Sequence, residues 1–139
     1  MSTVLNEKQV QDMLDDSPYI AFMQLKVISI DWENDEIVIR MPMRPEFERR
    51  KSTGQYHGGA IAALIDIAGD YAVVMKVGGG VPTINFSVDY LRPCSHTALT
   101  ATAKTRRIGR SIAVVDVDIH DDGGKLCAIG RGTYSPRVG

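Results

Sequence analysis

At 139 residues, with 44 % hydrophobic and 24 % charged side chains, the chain has the size and composition of one globular domain with a hydrophobic core. Its formal net charge of -1 argues against a dedicated nucleic-acid binder, which would carry a basic excess. No uncharged run approaches the ~20 residues that cross a bilayer, and residues 1–10 lack the apolar core of a secretory signal, so we expect a soluble, cytoplasmic protein without a membrane partner.

The N-terminal segment, residues 1–22, is predicted to be helical. Asn6 can cap a short helix that runs through about Asp15, and Pro18 ends it. One further turn follows over residues 19–23. It is predicted to dock its large apolar side chains on the body of the protein: Tyr19, Ile20 and Phe22.

A period of two residues starts at Lys26 and predicts a β-hairpin. The turn falls at residues 34–35, and the second strand covers residues 36–41. The first strand is predicted to turn one apolar face to the core: Ile28, Ile30 and Trp32.

Residues 46–54 are predicted to form an exposed loop, because Phe47 is the only large apolar residue among them. Three consecutive cations, Arg49, Arg50 and Lys51, lie within it. They form either a solvated turn or an anion-binding rim beside the next helix.

Residues 58–75 are predicted to form one long helix that ends before Gly78. A helix that is apolar on nearly all sides must be buried on nearly all sides. Asp66 and Asp70 are its only charged residues before residue 76. A carboxylate buried in such a helix lowers the stability of the fold, so it is expected to have a hydrogen-bond or charge partner or a functional role. We expect Asp70 to lie at a subunit interface or at the edge of the core next to solvent. The alternative is that Asp70 is a second carboxylate of the active site.

The remainder of the chain predicts four strands, at residues 82–91, 98–107, 111–120 and 125–134. Strands with so little helical cover, around one very apolar helix, indicate an α+β fold in which a curved antiparallel sheet of about six strands wraps the helix. We expect a single domain over residues 1–139 with its core at 24–135. The open side and edges of such a sheet would be covered by self-association.

Several motifs resemble a known family. G-x-x-H-G-G at residues 54–59, followed by L-x-D-x-A at 64–68, resembles the signature of the PaaI-like (phenylacetic acid degradation) hotdog-fold acyl-CoA thioesterases. Y-L-R-P at 90–93 and R-I-G-R at 107–110 resemble the same group, and the order of elements agrees with it over residues from about 20 to 135.

The resemblance implies a homodimer, or a tetramer of two dimers, whose sheets are continuous and whose active sites lie at the subunit interface without a cofactor. It implies that Asp66 is the catalytic carboxylate, as general base on water or as nucleophile, and that the Gly58 N–H polarises the thioester carbonyl. His57 would orient nearby groups, and Thr83 would help to position the water. Several members carry an asparagine where this chain has Lys51, so that contact is either absent or replaced.

Distances along the helix add a constraint. A helix N-terminus offers free N–H groups, and glycines at Gly58 and Gly59 let a carbonyl approach that backbone closely. Asp66 lies eight residues after Gly58, which is ~12 Å along a helix. One aspartate cannot span that distance, so we hypothesise that two antiparallel helices of a dimer bring Asp66 of one subunit to Gly58 of the other.

The phosphates of CoA call for cations on surface loops. Arg106, Arg107 and Arg110 around the turn at Gly109 are the first candidates, the cations at residues 49–51 are next, and Arg92 is a third. No metal site is predicted, because the histidines have no ligand spacing with acidic residues.

Two other functions remain open: an acyl-thioester hydratase or dehydratase on the same fold, and a non-catalytic acyl-CoA-binding module. The acyl group is not readable, and aryl-acetyl, hydroxybenzoyl and medium-chain acyl groups all fit the pattern. Cys94 and Cys127 are expected to be reduced thiols, with one disulfide as the alternative.

Overall fold

The computed structural model describes residues 4–137, so the predicted domain limits at 1 and 139 lie outside the described part of the chain. The helices and strands follow the predicted order. They are α1 (Glu7–Asp16), α2 (Pro18–Met23), β1 (Lys26–Asp31), β2 (Glu36–Met41), a 3-10 turn (Pro45–Phe47), α3 (Gly58–Val77), β3 (Thr83–Tyr90), β4 (Leu99–Ile108), β5 (Ala113–Asp121) and β6 (Leu126–Tyr134).

The six strands form one antiparallel sheet in the order β1-β2-β4-β5-β6-β3. The sheet curves around α3, which packs against β2 to β6. This is the predicted hotdog fold, which is confirmed. Within residues 4–137 no helix, α3 included, has both the length and the apolarity to cross a bilayer.

Helix α3 forms the centre of the core. His57 caps its start, and Gly78 ends it in the left-handed conformation (φ 89°) that glycine adopts without strain. Ten of its 20 residues are buried, on more than one face, as the apolar sequence predicts.

The N-terminal helices confirm one prediction and correct another. Asn6 caps α1 in a reciprocal capping box with Gln9. In α2, Met23 is buried and Ile20 packs against the core. The partly exposed Phe22 ring makes an edge contact with Phe47, whereas Tyr19 is exposed, so the predicted docking is wrong for Tyr19. Since α2 is only six residues long, one narrow face reaches the core.

A β-bulge changes the face of β1. Val27 pairs with Ile39 and Ser29 with Val38, which leaves Ile28 as the extra residue. Ile30 is buried but Ile28 is 51 % exposed, so its predicted place on the apolar face is wrong.

Residues 49–55 form a hairpin, called here the 49–55 hairpin, in place of the predicted irregular loop. The Arg49 N–H donates to the Gln55 carbonyl (2.9 Å), and the His57 N–H donates to the Phe47 carbonyl (2.7 Å). Phe47 is buried and stacks on Tyr56 at 6.4 Å between ring centroids, which corrects its prediction as part of an exposed loop. The cations at 49–51 are exposed, as predicted.

Strand β3 is an edge of the sheet, hydrogen-bonded to β6 alone. Every residue of β3 except Val88 is exposed, including the large side chains of Ile84, Phe86 and Tyr90. An apolar, unpaired edge is the feature that natural proteins normally cover.

Candidate active site

The first half of the site is the start of α3. The Nδ1 atom of His57 accepts a hydrogen bond from the Gly59 N–H (2.8 Å), so the proton of the neutral ring lies on Nε2. Within residues 4–137 the N–H of Gly58, the first residue of the helix, donates to no acceptor. It is a free donor at the positive end of a long helix.

The end of β3 adjoins this free donor. The Tyr90 hydroxyl donates to the Gly58 carbonyl at 2.7 Å. A cavity of about 380 Å³ opens at this point, and its lining includes Gly58, Tyr90, Arg49 and Arg92. The other lining groups are mainly apolar, so Gly58 lies at an apolar cavity that also contains two cationic side chains.

The second half of the site lies further along α3. The Thr83 hydroxyl, at the start of β3, donates to the Asp66 carboxylate at 2.8 Å. The buried Tyr134 hydroxyl donates to the Asp66 backbone carbonyl at 3.0 Å. Burial, reinforced by the carboxylates of Asp66 and Asp70, raises the pKa of Tyr134 above its usual range, so the phenol stays a donor.

Asp70 lies one turn after Asp66 on a neighbouring part of the helix surface. Burial, together with the negative charge of Asp66, raises the pKa of Asp70 to about 7, although the nearby Thr83 hydroxyl acts in the opposite direction. Two carboxyl groups and one hydroxyl are thus gathered beside the start of β3.

The two halves do not meet within one chain. Gly58 is bonded to Tyr90 at one end of β3, and Asp66 is bonded to Thr83 at the other, seven residues away. The separation of the two contacts along β3 therefore agrees with the distance between Gly58 and Asp66 along α3. The free Gly58 N–H and the Asp66 carboxylate belong to separate half-sites.

The predicted cations are distributed over both ends of the sheet. Arg92 lines the cavity beside Gly58, whereas Lys51 is exposed in the 49–55 hairpin and does not line it. Arg107 and Arg110 are exposed around the β4–β5 turn. Across β4, β5, β6 and β3, the residues that pair in succession are Ile108, Ala113, Tyr134 and Thr83. The β4–β5 turn therefore lies at the same end of the sheet as Thr83.

Sequence reasoning misses the contribution of Tyr90 to the first half-site, since it places Tyr90 only within a motif, and it ranks Arg49 second among the candidate CoA-binding cations. The Y-L-R-P motif after a strand was the available signal for Tyr90, but its contact with Gly58 depends on the curvature of the sheet. Within residues 4–137 no three His, Cys, Asp or Glu side chains converge as metal ligands would.

Comparison with known proteins identifies the family. The family model of the thioesterase superfamily matches residues 53–128. A candidate esterase of Saccharolobus solfataricus is 31 % identical over 115 residues, which cover 81 % of this chain and 79 % of that protein. The medium/long-chain acyl-CoA thioesterase YigI of Salmonella typhimurium is 31 % identical over 96 residues, which cover 56 % of this chain and 60 % of that protein.

A solved structure agrees with these relatives. The PaaI protein of E. coli, from the phenylacetic acid degradation operon, superposes with a TM-score of 0.81 at 26 % identity, over 95 % of this chain and 92 % of that one. The stretch that matches the family model includes both half-sites, from Gly58 to Tyr90. The chain therefore belongs to the thioesterase superfamily, in its PaaI-like group of hotdog folds, and is a thioester hydrolase.

Proposed function

We propose that this protein is an acyl-CoA thioesterase, which hydrolyses an acyl- or aryl-acyl-CoA to a carboxylic acid and CoA. The acyl-CoA substrate is supported by the Salmonella relative, whose name specifies acyl-CoA, and by the free N–H beside a cavity with two arginines. The aryl-acyl option is supported by the operon from which the E. coli neighbour comes.

In the proposed reaction Asp66 accepts a proton from water while the water oxygen attacks the thioester carbon. The Gly58 N–H donates to the oxyanion that forms, and His57 holds the next peptide of the helix start. The Thr83 hydroxyl fixes the Asp66 carboxylate. The tetrahedral intermediate then collapses, its C–S bond breaks, and the departing CoA thiolate takes up the proton held by Asp66. If Asp66 is instead the nucleophile, its carboxylate displaces the CoA thiolate to form an anhydride, which water then hydrolyses. Neither route needs a metal or a cofactor.

The active site is proposed to be shared between two subunits. The observation that carries this proposal is the position of the two half-sites at the two ends of the exposed strand β3. Antiparallel pairing of β3 with a second β3, centred on Phe86, would bring Thr83 of one protomer opposite Asp89 of its partner, next to the partner's Tyr90. Asp66 and Gly58 would then meet twice in each homodimer, and two such dimers could form a tetramer.

The CoA moiety is proposed to bind to cations from both subunits. Arg92, with Arg49, lines the cavity of one protomer, and the partner's turn with Arg107 and Arg110 would adjoin it after β3 pairing. Gly59 and the exposed Lys51 are proposed as further contacts of the CoA moiety, outside the cavity lining. Affinity for CoA should therefore fall as ionic strength rises, because the contacts are largely exposed to solvent.

A thiol-release assay over a panel of aryl, medium-chain and long-chain acyl-CoAs tests the function. Hydrolysis by the wild type, with a loss of at least a hundredfold in kcat for Asp66→Asn at unchanged thermal stability, is expected. Tight binding of acyl-CoA without thiol release would instead identify a binding module. Addition of water to an unsaturated acyl-CoA would identify a hydratase.

A mixed-dimer experiment tests the shared site. Gly58→Pro removes the N–H, and proline suits the first position of a helix. Each variant alone, Asp66→Ala or Gly58→Pro, should be inactive. The heterodimer should regain one of two sites, about half the wild-type rate per dimer. Absence of rescue in a verified heterodimer would place both residues in one subunit's site.

The cytoplasm is the proposed location. Cys94 and Cys127 are free, buried thiols, as expected in a reducing compartment.

A further inference from the structure

The peptide bond between Gly58 and Gly59 is held at both of its polar atoms. Its carbonyl accepts from the Tyr90 hydroxyl at 2.7 Å, and its N–H donates to His57 Nδ1 at 2.8 Å. Glycine pairs have the widest range of backbone conformations, so these two side chains supply restraint that the backbone itself lacks. The preceding peptide, between His57 and Gly58, carries the free N–H.

Tyr90 is in close contact with the helix start. A Cβ atom at position 58 would lie 3.1 Å from the Tyr90 Oη and Cζ atoms, so a glycine there permits the approach of the ring. The strand end that carries Tyr90 is itself anchored, because the N–H groups of Leu91 and Arg92 both donate to the Cys127 carbonyl, at 2.9 and 3.2 Å.

The hydrogen bond from the Tyr90 hydroxyl to the Gly58 carbonyl contributes little to the global stability of the protein. Tyr90 is 53 % exposed, and a solvent-accessible hydrogen bond contributes only about 1 kcal/mol or less. The Tyr90 hydroxyl nevertheless lies at the start of α3, beside the free Gly58 N–H, and the Tyr90 ring lines the cavity there.

We propose that Tyr90 is a positioning residue for thioester hydrolysis, which locks the Gly58–Gly59 peptide and so aims the Gly58 N–H at the developing oxyanion. The inference rests on the proposed role of Gly58. Without the Tyr90 bond the first turn of α3, which lacks intrahelical partners for its N–H groups, would sample other orientations. Oxyanion stabilisation depends on donors that are already oriented, so kcat would fall more than substrate affinity.

The test compares Tyr90→Phe with Tyr19→Phe. Both change one half-exposed tyrosine, since Tyr19 is 60 % exposed and Tyr90 53 %, and only Tyr90 bonds to the helix start. We expect Tyr90→Phe to lower kcat about tenfold with KM within about twofold, and Tyr19→Phe to change neither. Melting temperatures of both variants should stay within about 3 °C of the wild type.

Amide hydrogen exchange tests the same inference without activity. Tyr90→Phe should speed exchange in peptides that cover residues 58–61, with the remainder of α3 unchanged. Unchanged exchange there, unchanged kcat, or a loss of kcat that follows a general loss of stability would overturn the proposal. A wild type without thioesterase activity would refute the proposed function alone, because the exchange comparison still reports whether Tyr90 orders the helix start.

Discussion

At the level of single residues, the Asp66 carboxylate depends on one contact within its own chain. Among residues 4–137 the Thr83 hydroxyl is its sole hydrogen-bond donor, at 2.8 Å. The remaining lone pairs are available to water or to a partner subunit. A carboxylate that accepts a single hydrogen bond is restrained in orientation while it keeps its capacity to accept a proton.

We expect Thr83→Val to lower kcat about tenfold, because valine keeps the shape of threonine but cannot orient Asp66. KM should change little, since the Thr83 hydroxyl donates to the Asp66 carboxylate and not to the substrate in this proposal. Steady-state kinetics measure both constants. Thr102→Val, at a half-buried position of β4, is the control and should leave kcat unchanged. Equal losses in the two variants would contradict an orienting role.

Asp70 should make the stability of the protein depend on pH. Its pKa is raised from 3.8 to about 7 in the folded state, so the folded protein binds this proton more tightly than the unfolded chain does. Its contribution is complete below pH 4 and is lost as pH rises through about 7. Asp70→Asn, which does not titrate, should raise the free energy of unfolding at pH 8 relative to pH 5 by on the order of 2 kcal/mol compared with the wild type.

Urea denaturation at pH 5, 6, 7 and 8 measures this difference. Asp118→Asn removes one charge from an exposed position of β5 and is the matched control. If the stability profiles of Asp70→Asn and wild type run parallel between pH 5 and 8, Asp70 is ionised throughout that range in the folded protein.

Local patterns were sufficient to predict the position of Asp66 in the central helix and the glycines at its start. The contacts of those residues were less accessible to sequence reasoning. Only the family resemblance points to Thr83, and no local pattern predicts the contact of Tyr90, because its hydroxyl reaches Gly58 across 32 residues of chain. Such a contact is determined by how the sheet curves, which no local pattern encodes.

At the level of elements, strand and helix limits followed from turn residues and periodicity. The strand β2 begins and ends where predicted, and α3 ends just before Gly78, as predicted. The errors arose where one residue departs from the period. The bulge at Ile28 exchanges the inward-facing and outward-facing positions of β1. Phe47 is buried against the rings of Tyr56 and Phe22, neither of which is adjacent to it in the sequence.

The packing of β6 against α3 depends on two glycines. A Cβ atom at Gly69 or at Gly132 would overlap the buried Tyr134 ring, whose hydroxyl bonds to the Asp66 carbonyl. We expect Gly132→Ala to lower the free energy of unfolding by about 2–3 kcal/mol, because backbone or ring must shift in a close-packed core. Gly80→Ala, where a Cβ would meet nothing within 4 Å, should change it by less than about 0.5 kcal/mol. Urea denaturation of both variants tests the contrast, and similar losses would contradict it.

At the level of the whole molecule, the two edge strands differ in what they expose. Strand β3 presents Ile84, Phe86 and Tyr90 together, and both half-sites are attached to it. Strand β1, at the other edge, exposes the bulged Ile28, and a bulge interrupts the regular pairing that a second strand would need. Self-association is therefore expected at β3 alone.

We expect Phe86→Lys to convert the protein to an inactive monomer. Phe86 is 39 % exposed in the chain, and antiparallel pairing centred on it would place two lysines opposite each other at the two-fold axis. Ile28→Lys, which replaces a 51 % exposed residue on the other edge, should keep both the oligomeric state and kcat. Sedimentation velocity and the thiol-release assay measure the two properties on the same samples. A Phe86→Lys monomer that retained wild-type kcat would show that one chain holds a complete site, and a Phe86→Lys dimer would show that the subunits associate elsewhere.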